Sequence, residues 1–144
     1  MNITRNFTLE EMLSSATADK YHITNRPTAE QQRHIVELVT NLLQPLRDAY
    51  GKPITITSGF RNLLLNSKVG GSKTSAHMTG YAADCQPANG DMKGFQEAVN
   101  KFIKTANYDQ VIFEQYDKKT GLCKWIHIGY KNSQGKQRKQ ILYM

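Results

Sequence analysis

The order of the predicted secondary-structure elements is the feature that most limits the fold of this chain. After Thr28, apolar residues recur every three or four positions, which predicts a long amphipathic helix. The residues of this stripe are Ile35, Leu38, Val39, Leu42, Leu43 and Leu46. Strand-like segments lie mostly later, without the regular strand–helix alternation of a doubly wound fold. We therefore predict an α+β fold with a central, largely antiparallel sheet flanked by helices.

Capping residues indicate where the first helices begin. Thr8 with Glu11, and Thr28 with Gln31, each have the spacing of a capping box, in which a hydroxyl and a side chain three residues later satisfy the first backbone N–H groups. Pro53 cannot continue a helix, so the long helix is expected to end before it.

Alternation of apolar and polar residues predicts strands in the remainder of the chain. The last two predicted strands are joined by a polar turn over 117–121, which favours a hairpin. Strands are predicted over 54–57, 81–86, 109–116 and 124–130, a short helix over 61–68, and an amphipathic helix over 95–105.

Length and composition favour one globular domain over residues 1–144. A chain of 144 residues, 39% of them hydrophobic, can bury one good core. No apolar run approaches the roughly 20 residues that a membrane-spanning helix needs. The first residues lack the apolar region of a secretory signal, so we expect synthesis in the cytoplasm without a signal peptide.

The net charge of +7 favours anionic partners such as nucleic acid, an anionic cell wall or an anionic membrane surface. The densest basic stretch lies within 131–144, which carries lysines and arginines and no acid. We interpret this stretch as a solvated basic tail. No nucleic-acid-binding motif accompanies it, so a specific nucleic-acid partner is not expected.

Two cysteines, Cys85 and Cys123, are too few for a disulfide framework. Each is expected to fill a small apolar site, as free cysteines usually do. Their positions, beside Asp84 and near His127, leave a bridge close to a functional site as the alternative.

Three residues form a candidate metal site. His77 and Asp84 lie in one segment, 75–84, and His127 lies in a predicted strand. Two imidazoles and one carboxylate form a three-ligand set for Zn²⁺ that leaves a fourth position open for water or substrate, as catalytic zinc sites do. Considered alone, His77 is equally compatible with a capping or hydrogen-bonding role. His22 and His34 are interpreted as surface or helix-packing residues.

Zinc hydrolysis also needs a general base and groups that bind the substrate. Glu114 is the candidate base, because it lies on the strand predicted to pair with that of His127. A solvent-facing Glu near a hairpin end is the alternative. Arg61, after the first strand, is placed to bind a substrate carboxylate or stabilise an oxyanion. An ordinary surface arginine that caps carbonyl groups is the alternative. Candidate substrate-binding residues are Ser75, which could instead only shape its turn, and Gln110, on the same strand face as Glu114.

Several segments together resemble the zinc D-Ala-D-Ala carboxypeptidase family, which includes vancomycin-resistance carboxypeptidases and many phage endolysins. The most specific are Ser58-Gly59-Phe60-Arg61, Ser75-x-His77 followed by Gly80-x-Ala82-x-Asp84, and Trp125-x-His127. The resemblance implies the fold shared with the signalling domain of hedgehog proteins. It also implies zinc held by His77, Asp84 and His127, and cleavage of peptidoglycan peptide bonds next to D-amino acids. Arg61 matches the family's substrate-binding or oxyanion-stabilising arginine.

One position departs from the pattern of many family members. They carry the catalytic Glu three residues before the last His ligand, where this chain has Lys124. The resemblance then implies that Glu114 takes this role. A non-catalytic, zinc-containing module that binds the cell wall is the alternative. Carboxypeptidase and endopeptidase activity both stay open. We expect a monomer that acts on the wall after release, as a phage or prophage lysis protein does, with a cytoplasmic recycling enzyme as the alternative.

Overall fold

The first third of the chain is helical, as predicted. The computed structural model describes residues 1–144. Helices in this part are α1 (Leu9–Leu13), α2 (Ala16–Lys20), α3 (Ala29–Leu38), a π-helical segment (Val39–Leu43) and α4 (Gln44–Tyr50). Both predicted capping boxes are confirmed. The Thr8 backbone N–H donates to Glu11 Oε1 (2.7 Å) and that of Thr28 to Gln31 Oε1 (2.8 Å).

The long predicted helix is continuous but not uniform, because the π-helical segment Val39–Leu43 separates α3 from α4. Pro45 lies in the first turn of α4 and has no N–H to donate to the preceding turn. A locally wider turn accommodates that missing donor. The apolar stripe stays buried through the change, since Leu38, Leu42 and Leu46 are each at most 1% exposed.

The remaining elements form the sheet and three short helical segments. The strands are β1 (Ile54–Ser58), β2 (Ala82–Pro87), β3 (Gln110–Glu114), β4 (Trp125–Gly129) and β5 (Gln140–Tyr143). Between them lie α5 (Leu63–Lys68), a 3₁₀ turn (Ala76–Met78) and α6 (Met92–Phe102). Helix α6 begins earlier than predicted because Asp91 caps it, its Oδ1 accepting from the Gly94 N–H (3.0 Å).

The sheet has the order β1-β2-β4-β3-β5, with helices packed beside it. The pairs β1–β2, β2–β4 and β4–β3 are antiparallel, and the predicted β3–β4 hairpin is confirmed with Gln110 opposite Gly129 and Glu114 opposite Trp125. The fifth strand pairs in parallel with β3, so the sheet is mixed. The α+β class is thus confirmed, with one parallel strand added to an antiparallel centre.

Strand β5 lies inside the basic segment 131–144, which the sequence predicts to be a solvated tail. The lysines of the segment are largely exposed, but its end is hydrogen-bonded into the sheet. Arg138 also pairs with Asp109, whose side chain is buried. The segment therefore completes an edge of the sheet as well as carrying charge.

The core lies between the sheet and the helices. Cys85 and Cys123 are both buried in it as free thiols, and no disulfide joins them. Burial raises the pKa of both thiols, that of Cys123 to about 11. No helix is both long enough and apolar enough to cross a bilayer.

Candidate active site

The pairing of three strands aligns two of the predicted metal ligands. Asp84 on β2 lies directly opposite His127 on β4, and His127 lies opposite Ile112 on β3. Residues directly opposite one another in an antiparallel pair point to the same face of the sheet. The antiparallel order of the sheet thus places the carboxylate beside the imidazole, although 43 residues separate them in the chain.

His77 joins this pair from the 3₁₀ turn between α5 and β2. Its Nε2 lies 3.3 Å from Asp84 Oδ1, and His127 Nδ1 lies 3.1 Å from the same oxygen. The three potential ligand atoms all lie within 4.8 Å of one another. A tetrahedral zinc site separates its ligand atoms by roughly 3.3–3.5 Å. The two distances to Asp84 are therefore close to those that a shared zinc ion imposes.

The backbone fixes the orientation of the His77 ring. Its Nδ1 lies 2.7 Å from the Gly59 carbonyl oxygen, so the Nδ1–H donates to that carbonyl and Nε2 is left facing Asp84. Ser75 caps the turn, its Oγ accepting from the His77 N–H (3.2 Å). A ring N–H bonded to a carbonyl is the usual outer support of a metal-binding histidine. These contacts prepare His77 to bind a metal through Nε2.

Asp84 is held in its charged form. Burial by itself would raise the pKa of this carboxyl, but hydrogen bonds and charges from His127 and His77 outweigh burial and lower the pKa well below its usual range. A deprotonated carboxylate beside two imidazole nitrogens is the donor set that Zn²⁺ accepts. The donor chemistry and the geometry of the group both fit zinc.

The metal-binding group opens into a polar cleft of about 820 Å³. This volume is within the range of small-molecule and peptide sites. Every residue that the sequence predicts to act in catalysis, metal binding or substrate binding lines the cleft: Arg61, Ser75, His77, Asp84, Gln110, Glu114 and His127. The structure thus brings together residues from four strands or their ends and from the 3₁₀ turn.

Glu114 lies on the cleft face of β3, diagonal to His127 across the β3–β4 pair. Diagonal neighbours in an antiparallel pair lie within reach of a long side chain. Burial raises the pKa of the Glu114 carboxyl; His127 and His77 act against that rise, and the charge of Asp84 adds to it. No hydrogen bond contributes to this shift, so the carboxylate is not committed to a partner. A raised pKa and a free carboxylate suit a general base.

Arg61 and Ser75 lie side by side in the cleft. Arg61 Nη1 and Nη2 lie 3.4 and 3.3 Å from the hydroxyl oxygens of Ser58 and Ser75, and the Arg61 N–H donates to the His77 carbonyl (3.1 Å). Its Nε is buried without a partner. Burial lowers the pKa of the guanidinium, with Asp84 opposing this change. Ser75 Oγ supports both Arg61 and His77, which makes it a positioning group.

Of the other residues considered from the sequence, only Gln110 lines the cleft. Gln110 lines the cleft, but its Nε2 donates to Gln140 Oε1 on β5 (2.6 Å). Lys124, at the position where many relatives carry an acid, is exposed and outside the cleft lining. His34 is a packing residue, as predicted: its ring stacks on Tyr81 and its Nδ1 contacts the Thr79 carbonyl (2.7 Å). His22 is exposed, in agreement with its prediction as a surface residue.

Three features of the cleft escaped prediction. Trp125, opposite Glu114, lines the cleft with its indole N–H buried and unpartnered. The Asp109–Arg138 pair and the loop formed by residues 132–134 form part of the lining. Asp109 lies directly before the apolar strand β3, and an acid at such a position indicates a buried carboxylate that needs a cationic partner. The partner could not be read from the sequence, because the two residues are 29 positions apart.

An open three-ligand metal centre, beside an uncommitted carboxylate and a fixed guanidinium, is typical of a metal-dependent hydrolase. The family model for peptidase M15 matches residues 5–129, and the chain belongs to this family. A zinc D-Ala-D-Ala carboxypeptidase of Streptomyces albus G is 56% identical over 43 residues, which cover 29% of this chain and 17% of that protein. The predicted family is confirmed, and the predicted Zn²⁺ cofactor agrees with the His–Asp–His group.

Proposed function

We propose that this protein is a zinc-dependent peptidase that hydrolyses peptide bonds next to D-amino acids in bacterial peptidoglycan. The observation that carries the proposal is the three-ligand group of His77, Asp84 and His127, which shares one cleft with Glu114 and Arg61. Membership of the peptidase M15 family supports peptide hydrolysis. The name of the Streptomyces relative supports zinc and a D-Ala-D-Ala substrate.

In this proposal His77, Asp84 and His127 hold the metal. A bound zinc ion supplies Lewis-acid polarisation of the scissile carbonyl and makes a water molecule easier to deprotonate. The Glu114 carboxylate takes a proton from the attacking water and delivers it to the nitrogen of the leaving amine. Its position diagonal to His127 and its lack of a competing partner support this role.

Arg61 binds the negative charge of the substrate. The hydroxyls of Ser58 and Ser75 hold its guanidinium at the cleft wall, so little reorganisation is needed when the substrate arrives. The guanidinium then stabilises the developing oxyanion or binds a terminal carboxylate. Glu114 is assigned as the base, Arg61 as the anion-binding group, and Ser75 and Gln110 as residues of the substrate cleft.

A non-catalytic, zinc-containing module that binds the cell wall is the second candidate. It is favoured by Lys124, which replaces the acid that many family members carry three residues before the last ligand. It predicts stoichiometric zinc and wall binding without bond cleavage.

We also propose that the protein is made in the cytoplasm and acts on the wall after release, as a phage or prophage lysis enzyme, and that it works as a monomer. The net charge of +7 supports adhesion to an anionic wall. Specific nucleic-acid binding is not part of the proposal.

Digestion of purified peptidoglycan by zinc-loaded and chelator-stripped protein tests the proposal. We expect peptide release only from the zinc-loaded sample, and the fragment masses from mass spectrometry then identify the bond. Release of single terminal residues indicates a carboxypeptidase, and release of longer fragments indicates an endopeptidase. A folded protein that holds one zinc ion and releases nothing would favour the binding module.

A further inference from the structure

The segment 132–138 forms one wall of the cleft that contains the metal-binding group. Asn132, Ser133, Gln134 and Arg138 all line this cleft. The segment follows residue 129, where the match to the peptidase M15 family ends. This wall is therefore a part of the cleft that the family match does not describe.

The loop at the start of this wall is closed by its own hydrogen bonds. The Asn132 N–H donates to the Lys136 carbonyl and the Gly135 N–H to the Asn132 carbonyl, both at 2.9 Å. Asn132 Oδ1 accepts from the N–H groups of Gln134 and Lys136, also at 2.9 Å. The Asn132 side chain is thus committed to holding the loop in shape.

Two contacts anchor the loop to the rest of the site. Arg138 Nε and Nη2 each donate to the buried carboxylate of Asp109 at 2.8 Å, and the Arg138 N–H donates to the same group at 3.1 Å. Gln137 Nε2 donates to the Tyr130 carbonyl (3.1 Å). Asp109 directly precedes β3, the strand of Gln110 and Glu114. The wall is therefore fixed to the strand that carries the proposed base.

Ser133 and Gln134 are the two loop residues that remain free to bind a ligand. Both are exposed, and their side chains have no hydrogen-bond partner within the protein. A hydroxyl and a primary amide donate and accept hydrogen bonds, which suits the N–H and C=O groups of a peptide. Binding a ligand there requires little ordering of the backbone, because the loop is already anchored, and orders only the two side chains.

We propose that Ser133 and Gln134 bind the peptide substrate away from the scissile bond, and so set the preference of the cleft for longer stem peptides over short ones. This inference rests on the proposed peptidase function. The Asp109–Arg138 pair acts through the loop, as a positioning element for the two binding side chains.

The test compares the double variant Ser133→Ala/Gln134→Ala with a matched control, Thr105→Ala/Asn107→Ala. The control also removes one hydroxyl and one amide, from exposed positions outside the cleft lining. The substrates are a synthetic stem pentapeptide and the shortest fragment of it that retains the bond cut by the unaltered protein. Loss of two hydrogen bonds should raise KM for the pentapeptide by about fivefold or more with kcat unchanged. KM for the short fragment, and both constants of the control, should stay the same.

Equal effects on both peptides, or no effect on either, would overturn the proposal. Failure of the unaltered protein to cut stem peptides, either free or within purified peptidoglycan, would instead reject the proposed peptidase function. In that case the fluorescence of Trp125, the single tryptophan and a residue of the cleft, reports binding of the pentapeptide. Weaker binding by the double variant than by the control would support the wall as a peptide-binding surface. Equal binding, or no binding at all, would reject it.

Discussion

Phe113 and Glu114 are neighbours on β3 and serve opposite faces of the sheet. Phe113 is fully buried among the core side chains, and its ring stacks against Tyr143 with the centroids 4.8 Å apart. Glu114 lines the cleft beside the metal-binding group. The same alternation continues on β4, where Ile126 and Ile128 are buried in the core and Trp125 and His127 line the cleft. One face of these strands therefore packs into the core, and the other lines the cleft of the proposed active site.

This division predicts that substitutions on the two faces have separable effects. The largest effect is expected from Glu114→Gln, which keeps the size of the side chain and removes its basicity. Loss of a general acid–base group should lower kcat about 10²- to 10⁴-fold. Zinc content and the free energy of unfolding should stay close to those of the unaltered protein. Glu97→Gln, on the exposed surface of α6, is the matched control and should retain full activity. Normal turnover by the Glu114 variant would reject its role.

Phe113→Ala tests the other face of the same strand. Truncation of a fully buried phenylalanine should lower the free energy of unfolding by about 3–5 kcal/mol, measured by urea denaturation. At temperatures where the variant remains folded, zinc binding and kcat should be nearly unchanged. A large loss of kcat in the folded variant would show that the two faces are coupled and would contradict the prediction that their effects are separable.

At Gly59 a single substitution is expected to change both the stability of the protein and its affinity for zinc. A Cβ at Gly59 would lie 2.3 Å from the Met12 carbonyl oxygen, while the Gly59 carbonyl itself holds the His77 ring. Gly59→Ala should therefore cost about 1–3 kcal/mol of stability through overpacking and also weaken zinc affinity. Gly129→Ala is the control for stability alone, because a Cβ there would make only ordinary contacts, 3.6 Å from the Gln110 carbonyl oxygen and 3.7 Å from His127 Nε2. Titration with a zinc chelator and urea denaturation measure the two effects.

The Asp109–Arg138 pair should produce the smallest effect, visible as a pH dependence of stability. Burial alone would raise the pKa of Asp109, but hydrogen bonds from Arg138 outweigh burial and lower it from its usual 3.8. A lowered folded-state pKa stabilises the protein above about pH 3.8, and this contribution is lost as the pH falls through the folded-state value. Zinc-free Asp109→Asn protein should lose less stability than zinc-free unaltered protein over that acidic range. Parallel stability curves for the two proteins would contradict this.

The local parts of the fold follow from the sequence because they depend on neighbouring residues. The capping boxes at Thr8 and Thr28, and the hairpin of β3 and β4, are set by spacing and alternation. The sequence also singled out His77, Asp84 and His127 through their unusual motifs, and the structure brings their potential ligand atoms within 4.8 Å of one another.

The missed features depend on contacts between distant residues. Strand β5 adds in parallel to β3, and only the completed sheet defines that partner. The support of His77 comes from a backbone carbonyl, that of Gly59, which no side-chain pattern reveals. The π-helical turn reflects one missing N–H at Pro45 within an otherwise regular pattern. Sequence patterns therefore indicated which candidate site residues lie together in the cleft better than they indicated the scaffold that orients them.

The burial of Cys85 and Cys123 has a consequence for redox chemistry. Disulfide exchange proceeds through the thiolate, and the raised pKa values keep both groups as thiols at neutral pH. Cys85 is fully buried and Cys123 is only 5% exposed, so both residues are shielded from oxidants and from other thiols. The protein is therefore expected to keep one covalent form in both reducing and oxidising surroundings, so that a change of redox environment leaves the cleft unchanged.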